Sequence, residues 1–251
     1  MMRRRVGVVV LVVLAVSCAR PAEEYTPPTD TAAVAEMRPL GDLLRDPTVP
    51  VDIALVGDGT GASLGGWVYL TMQALSQRFG RPALIHEWDY DAGRGYRQPP
   101  IAVSGGSGEP IELWNASVSR NIGFLRSALD GLRPADSVQV VLVNNALDMG
   151  GGTLARESVA LVRALAEQNP RATVAVILQP SPPGDHAVTA NVHDLAVSAR
   201  INDIPTIDVA GAFARRTGLY DGDERYADLD GQRLWSTLVA AVLGDGITVP
   251  R

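Results

Sequence analysis

The sequence predicts an α/β fold: three layers, with a flavodoxin-like parallel sheet between two layers of helices. Apolar, β-branched runs alternate along the chain with segments of helical period, which is the pattern of strand–helix–strand units. The runs are hydrophobic at nearly every position rather than at alternate ones, as expected for strands covered on both faces. Residues 49–251 suit a single domain that buries a full core.

The predicted elements follow one another in a regular order. We predict strands over residues 51–56, 83–88, 111–114, 138–143, 173–178 and 206–209, and helices over 63–79, 118–130, 154–168, 187–202 and 229–243. Glycine or proline follows the first three helices, as is usual at helix ends. Segment 89–110 holds five glycines and three prolines, so we expect a loop or a β-excursion over the sheet there.

The N-terminus has the pattern of an export signal. Three arginines precede an apolar run over residues 6–16, which is too short for a bilayer-spanning helix and suits a signal peptide of residues 1–17. The segment Ala15-Val16-Ser17-Cys18 resembles a bacterial lipobox, which implies that Cys18 is lipidated. We therefore expect an exported lipoprotein, anchored most simply at the outer face of the cytoplasmic membrane; an ordinary secreted protein is the alternative.

Residues 18–48 are rich in Pro, Thr, Ala and Glu and lack an apolar period, so we expect a flexible tether between lipid and domain. The formal net charge of −6 makes nucleic acid an unsuitable partner. A single cysteine excludes an intrachain disulfide. We expect no cofactor and no metal, since the acidic residues within 221–230 lack the EF-hand pattern. The sequence identifies no protein partner.

Ligands of open α/β sheets bind beyond the carboxyl ends of the strands, where loops diverge and helix N-termini point into the crevice. The informative segments therefore follow the strands. They cover residues 57–66, 115–120, 144–153 and 179–186. Four shorter segments carry motif-like residues: Gly57-Asp58-Gly59, Asn115-Ala116-Ser117-Val118-Ser119-Arg120, Asn144-Asn145-Ala146, and Asp223-Glu224-Arg225-Tyr226 near the C-terminus.

In order, spacing and context, these segments resemble the motifs of the SGNH (GDSL-like) hydrolases, and the resemblance extends from about residue 51 to residue 243. It places the family's nucleophilic serine on Gly59, its oxyanion-binding glycine on Arg120 and its histidine on Tyr226. It retains the oxyanion-hole asparagine as Asn145 and the aspartate as Asp223.

The substitutions remove the family's chemistry. Acyl transfer needs a hydroxyl nucleophile and a base that takes its proton, and Gly59 has no side chain. At neutral pH a phenol donates a proton rather than accepting one, so Tyr226 does not replace a histidine base. The resemblance thus implies an inactive relative that binds a glycan or an acylated envelope component.

Two alternatives remain open: an esterase or acyltransferase that uses a displaced serine, and a scaffold for an active envelope enzyme. Ser63 is expected to cap the first helix, and the other nearby hydroxyls to satisfy loop backbone. Of the three histidines, His186 has the best functional claim, because it follows a strand and can lean into the crevice. The candidate ligand contacts are Asp58, Thr60, Ser117, Ser119, Arg120 and His186.

Overall fold

A computed structural model describes residues 38–89, 95–118, 122–132, 137–147, 153–220 and 226–245. Among these residues, seven strands form one sheet: β1 Val51–Gly57, β2 Ala83–Glu87, β3 Ile101–Ser104, β4 Ile111–Ser117, β5 Val140–Asn144, β6 Thr173–Leu178 and β7 Thr206–Asp208. The helices of this part of the chain are α1 Arg38–Arg45, α2 Trp67–Phe79, α3 Ile122–Ser127, α4 Leu154–Gln168, α5 His186–Ile201, α6 Ala210–Phe213 and α7 Leu229–Asp245.

The strand order is β3-β2-β4-β1-β5-β6-β7. Its part β4-β1-β5-β6-β7 is the flavodoxin-like order 2-1-3-4-5, which confirms the predicted fold class. Beyond β4 the sheet continues with β2, which is parallel to β4, and ends at β3, which is antiparallel to β2. The segment expected to be a loop or a β-excursion thus contributes an edge strand.

Two apolar layers cover the sheet, one on each face. On one face, α1, α2 and α7 pack on side chains such as Ile53, Leu55 and Ile85. On the other face, a second buried cluster includes Val141, Leu161 and Leu195, so α4 and α5 cover it. Burial on both faces explains why the strand sequences are apolar throughout. In the described ranges, no helix has both the length and the hydrophobicity to cross a membrane.

Two boundaries differ from the sequence expectation. Part of the expected tether is helical: α1 places Leu40 and Leu44 in the core, so residues 38–45 belong to the packed domain. Helix α2 begins at Trp67 rather than at residue 63, and Gly66 rather than Ser63 is its N-cap. The side-chain oxygen of Gln232 on α7 accepts a hydrogen bond from the Trp67 N–H at 2.7 Å, and this contact satisfies the helix start that Ser63 was expected to cap.

Arg81 joins the beginning of the domain to the sheet. Its side chain is fully buried, just before β2. The guanidinium donates to six backbone oxygens at 2.5–3.3 Å, those of Leu43, Leu44, Asp46, Val49, Glu109 and Pro110. These oxygens come from the end of α1 and from the segments that enter β1 and β4. One side chain therefore fixes the edge of the sheet opposite the candidate site.

Candidate functional site

The register of the sheet brings three loops to the same level. Gly57 at the end of β1 lies beside Ser117 of β4 and beside Asn144 of β5. The segments that follow these residues therefore leave the sheet side by side at its carboxyl edge. This arrangement agrees with the crevice that the sequence predicts.

Asp58 organises the loop after β1. Its carboxylate is buried and accepts hydrogen bonds from the Thr60 N–H at 3.1 Å, the Thr60 hydroxyl at 2.7 Å, the Gln179 amide at 3.0 Å and the Leu147 N–H at 3.0 Å. Burial raises the pKa of Asp58, while the hydrogen bonds from Thr60, Gln179 and Leu147 oppose that shift. Asp58 thus closes a 3₁₀ turn over Gly59–Gly61 and ties it to the loops after β5 and β6.

Thr60, the hydroxyl nearest to Gly59 in sequence, has no capacity left for attack. It donates to Asp58 and accepts from the Asn144 amide at 2.9 Å and from the Gln179 amide at 3.0 Å. A hydroxyl offers one proton and two lone pairs, and all three are used. Thr60 is therefore a structural member of the loop network.

Ser117 is similarly enclosed. Its Oγ is buried and has no hydrogen-bond partner among the described residues. It lies against Gly61, where an added Cβ would approach this oxygen to 2.3 Å. The neighbouring Asn115 donates to the Gly61 carbonyl at 2.9 Å and accepts from the Ser117 N–H at 3.1 Å. Among the described residues no base lies within hydrogen-bond distance of this oxygen, and Ser117 packs the turn.

Asn145 keeps a free donor. Its side chain is 2% exposed, and its carbonyl oxygen accepts from the Ser158 hydroxyl at 3.4 Å. Its Nδ2 is buried and lacks a partner among the residues that the structure describes. An amide donor of this kind is what an oxyanion hole supplies, although the residue at the position of the family's nucleophile, Gly59, carries no hydroxyl.

Tyr226 is brought to the region of Gly59. Tyr226 is 42% exposed and lines a cavity of about 10 Å³ together with Thr60, Gln179, Tyr220 and Trp235. That volume corresponds to about one water molecule. Ser119, Arg120 and Asp223 lie outside the described residues, as does Cys18.

His186 lies elsewhere. It is the first residue of α5, and it lines a separate pocket of about 890 Å³ with Phe213, His193 and Tyr220. The lining of this pocket shares Tyr220 with the small cavity but includes neither Thr60 nor Tyr226. The structure thus does not place His186 against the positions that correspond to the family's nucleophile and base.

The sequence reasoning assigned no role to two groups of residues, although Gln179 begins one of the loops that it singled out. Gln179 follows β6 and joins Asp58, Thr60 and the backbone N–H groups of Ala146 and Leu147. Its place directly after a buried strand was the available signal. Glu87 and Arg97 line an open cleft of about 820 Å³ beside the 3₁₀ turn, together with Ser117 and Leu64. Burial raises the pKa of Glu87, against the opposing effects of the Asn115 hydrogen bond and the Arg97 charge.

No group of three or more side chains suited to hold a metal ion occurs within the described ranges.

Comparison with solved structures finds the same architecture in bacterial esterases. A lipase/acylhydrolase from Enterococcus faecalis matches with a TM-score of 0.57 and 13% identity, over 77% of this chain and 95% of that one. A family 3 carbohydrate esterase from Clostridium thermocellum matches with a TM-score of 0.53 and 13% identity, over 76% and 94%. An acetylxylan esterase from Geobacillus stearothermophilus gives 0.52 and 12%, over 77% and 94%.

Structures assigned to the GDSL and SGNH groups are matched as well. No family model matches the sequence. No curated protein matches it. At these identities the likeness establishes the fold and leaves the reaction to be argued from the site.

Proposed function

We propose, from the SGNH-hydrolase fold of this chain, that it is a lipid-anchored envelope protein that binds a glycan or an acylated envelope component without hydrolysing it. The observation that carries the proposal is which residues occupy the crevice and how little space they leave. At the position of the family's nucleophile stands Gly59, and the space between Thr60 and Tyr226 measures about 10 Å³. That space holds about one water molecule and is far below the roughly 300–1,000 Å³ of common small-ligand sites.

Two of the neighbouring hydroxyls, those of Thr60 and Ser117, are not placed to replace the missing serine. A displaced nucleophile needs an exposed oxygen with a free lone pair and a base within hydrogen-bond reach. All hydrogen-bonding capacity of Thr60 is used within the loop network. The Ser117 oxygen is buried against Gly61. Both arrangements support structural roles.

A cleft of about 820 Å³ that opens directly beside the 3₁₀ turn supports binding. Its volume lies within the range of roughly 300–1,000 Å³ that is common for small-ligand sites. Loss of catalysis with retention of an open cleft is what a binding protein on an enzyme fold requires. The anchoring part of the proposal rests on the N-terminal sequence and its lipobox-like segment.

Turnover of a short ester tests the proposal. The purified protein is expected to hydrolyse p-nitrophenyl acetate no faster than a heat-denatured sample. The combined variant Gly59→Ser, Arg120→Gly and Tyr226→His restores the family's residue types and serves as the comparison. Its regained activity should be small, because the surrounding geometry has not been kept within the tolerance that catalysis needs. Robust turnover by the unmodified protein would contradict the proposal.

One observation favours a second candidate, an ester hydrolase or acyltransferase with a displaced serine. The free Nδ2 of Asn145 is the donor that an oxyanion would use. In this case turnover would be measurable, and replacing the responsible hydroxyl in Ser63→Ala, Ser117→Ala or Ser119→Ala would abolish it. Turnover that survives all three changes would point to a nucleophile outside this set.

A further inference from the structure

The cleft beside the 3₁₀ turn is built by the two strands that extend the flavodoxin-like order. Its lining includes Ile85 and Glu87 of β2, Ile101 of β3, and Arg97 and Gln98 from the connection between them. The other wall comes from the 3₁₀ turn and the end of β4, through Ala62, Leu64, Ser117 and Val118. The extra strands therefore create a site that the five-stranded core would lack.

Two opposite charges face each other in this cleft. Trp88 and Tyr96 form an antiparallel bridge, and the Arg97 N–H donates to the Glu87 carbonyl at 2.7 Å. Residues 87 and 97 are thus directly opposite one another, and opposed residues of an antiparallel pair project to the same face. The Asn115 amide holds one oxygen of the half-buried Glu87 carboxylate at 3.1 Å. Arg97 is 58% exposed at its side chain and lies 3.9 Å from Asp89.

On the face of β2 and of the β2–β3 connection that points away from the cleft, aromatic side chains pack against each other and hold the strands in place. The His86 ring stacks on Trp114 at 3.9 Å, and its Nε2 lies 2.8 Å from a Glu112 carboxylate oxygen. Tyr96 packs edge-on against Trp88 and Trp114, and its hydroxyl donates to the Leu132 carbonyl at 3.2 Å. Because these contacts fix β2 and the connection to β3, the residues on the cleft side lose little conformational freedom when a ligand binds. This favours affinity.

We infer that this cleft binds a neutral carbohydrate, with Glu87 and Arg97 as the residues that recognise its hydroxyl groups. The inference rests on the proposed binding function and names the ligand class of that crevice. A sugar hydroxyl donates to a carboxylate and accepts from a guanidinium, so adjacent hydroxyls satisfy both charges. The apolar walls formed by Leu64, Ile85 and Val118 suit the C–H faces of the ring.

Other ligand classes fit the lining less well. An acyl chain would cover Glu87 and Arg97 without replacing the hydrogen bonds that the exposed parts of both side chains make to water, and such desolvation is costly. A phosphate or another anion would be repelled by Glu87 and by Asp89, whose carboxylate lies 3.9 Å from Arg97, and a cation would be repelled by Arg97. The paired charges thus select a ligand that is polar and carries no net charge.

Calorimetric titration of the full chain with neutral trisaccharides of hexose, pentose and N-acetylhexosamine tests the inference. At least one is expected to bind. Changing salt from about 0.05 M to about 0.5 M should leave its affinity nearly unchanged, since the sugar itself carries no charge. Glu87→Gln and Arg97→Met should each weaken binding by about tenfold or more. The matched controls are Glu167→Gln and Arg171→Met, which alter exposed residues near the end of α4.

Three outcomes would overturn the inference. They are no binding by any of these sugars, binding that Glu87→Gln and Arg97→Met leave unchanged, and a cleft-dependent response to octanoate or to a neutral tripeptide in place of the sugars. Circular dichroism of each variant verifies its fold, and the exposed Arg97 keeps the test valid if Glu87→Gln destabilises the protein. Ester turnover, measured on the same samples, addresses the proposed loss of catalysis separately from the ligand class.

Discussion

Replacing Arg81 by methionine should destabilise the whole domain, because six backbone oxygens would lose their donor at once. The side chain is fully buried, so water does not replace the guanidinium without rearrangement. Burial lowers the pKa of Arg81, an effect that the charges of Asp46 and Glu109 oppose, and an arginine stays charged under such a shift.

The magnitude follows from the kind of contact that is lost. A hydrogen bond to a charged group contributes about 1.5–3 kcal/mol, but the cost of burying the charge offsets part of the sum. We therefore expect Arg81→Met to lower the free energy of unfolding by about 3–5 kcal/mol, because each buried acceptor that stays without a donor costs about 1–3 kcal/mol. For a domain of this size, each kcal/mol corresponds to about 2–4 °C in Tm, which gives a decrease of roughly 6–20 °C.

Thermal unfolding followed by circular dichroism measures this effect. Arg81→Lys should fall between wild type and Arg81→Met, because an ammonium group has three donors rather than five. Arg171→Met changes an exposed arginine and should stay within about 0.5 kcal/mol of wild type. A Tm of Arg81→Met within about 2 °C of wild type would refute the reasoning.

Three further predictions concern the site and the anchor. Gly61→Ala should destabilise the protein by about 1–3 kcal/mol, because the new Cβ would meet the Ser117 oxygen at 2.3 Å. Adding Ser117→Ala should restore part of the lost stability. Equal urea midpoints for the single and double variants would contradict the steric account. The raised pKa of Asp58 means that the folded state binds its proton more tightly than the unfolded state. This contribution to stability is therefore present below about pH 4 and is lost as pH rises towards the folded pKa. Asp58→Asn should remove that part of the pH dependence, and an unchanged profile of unfolding free energy against pH would contradict the assignment. Cys18→Ser should move the protein from the membrane fraction to the soluble fraction, whereas continued membrane association would place the anchor elsewhere.

The sheet was predictable because its strands carry the signal in their own residues. Strand β6 and helix α4 have the predicted bounds, Thr173–Leu178 and Leu154–Gln168. Continuous burial makes such strands apolar at every position, and an amphipathic helix shows its period locally. These elements need no knowledge of distant contacts to be recognised.

The elements that were missed depend on contacts or on weak local signals. Strand β3 has four residues, all partly or fully exposed, and follows two prolines, which edge strands tolerate. Helix α1 lies next to a segment rich in proline, although the apolar spacing of Leu40, Leu43 and Leu44 was a usable sign of a helix face.

The candidate site was predictable only in part for a related reason. The motif order identified Asp58 and Asn145, which directly follow β1 and β5, and Asn115, which lies in β4 near its carboxyl end. At the opposite edge of the sheet, the partners of Arg81 come from three separate segments, and nothing local to any of them indicates an arginine contact. The cleft at Glu87 likewise exists only once β2 and β3 pair.

The central claim is that no serine of this protein is activated for acyl transfer. The most direct test is labelling of the native full chain with a fluorophosphonate, which reacts with an activated serine regardless of substrate, followed by intact-mass analysis. An active serine hydrolase labelled in parallel is the positive control, and the heat-denatured chain gives the background. The account predicts an unmodified mass, with labelling at the background level. Stoichiometric labelling that heat denaturation abolishes would contradict it and would identify the modified residue as a nucleophile.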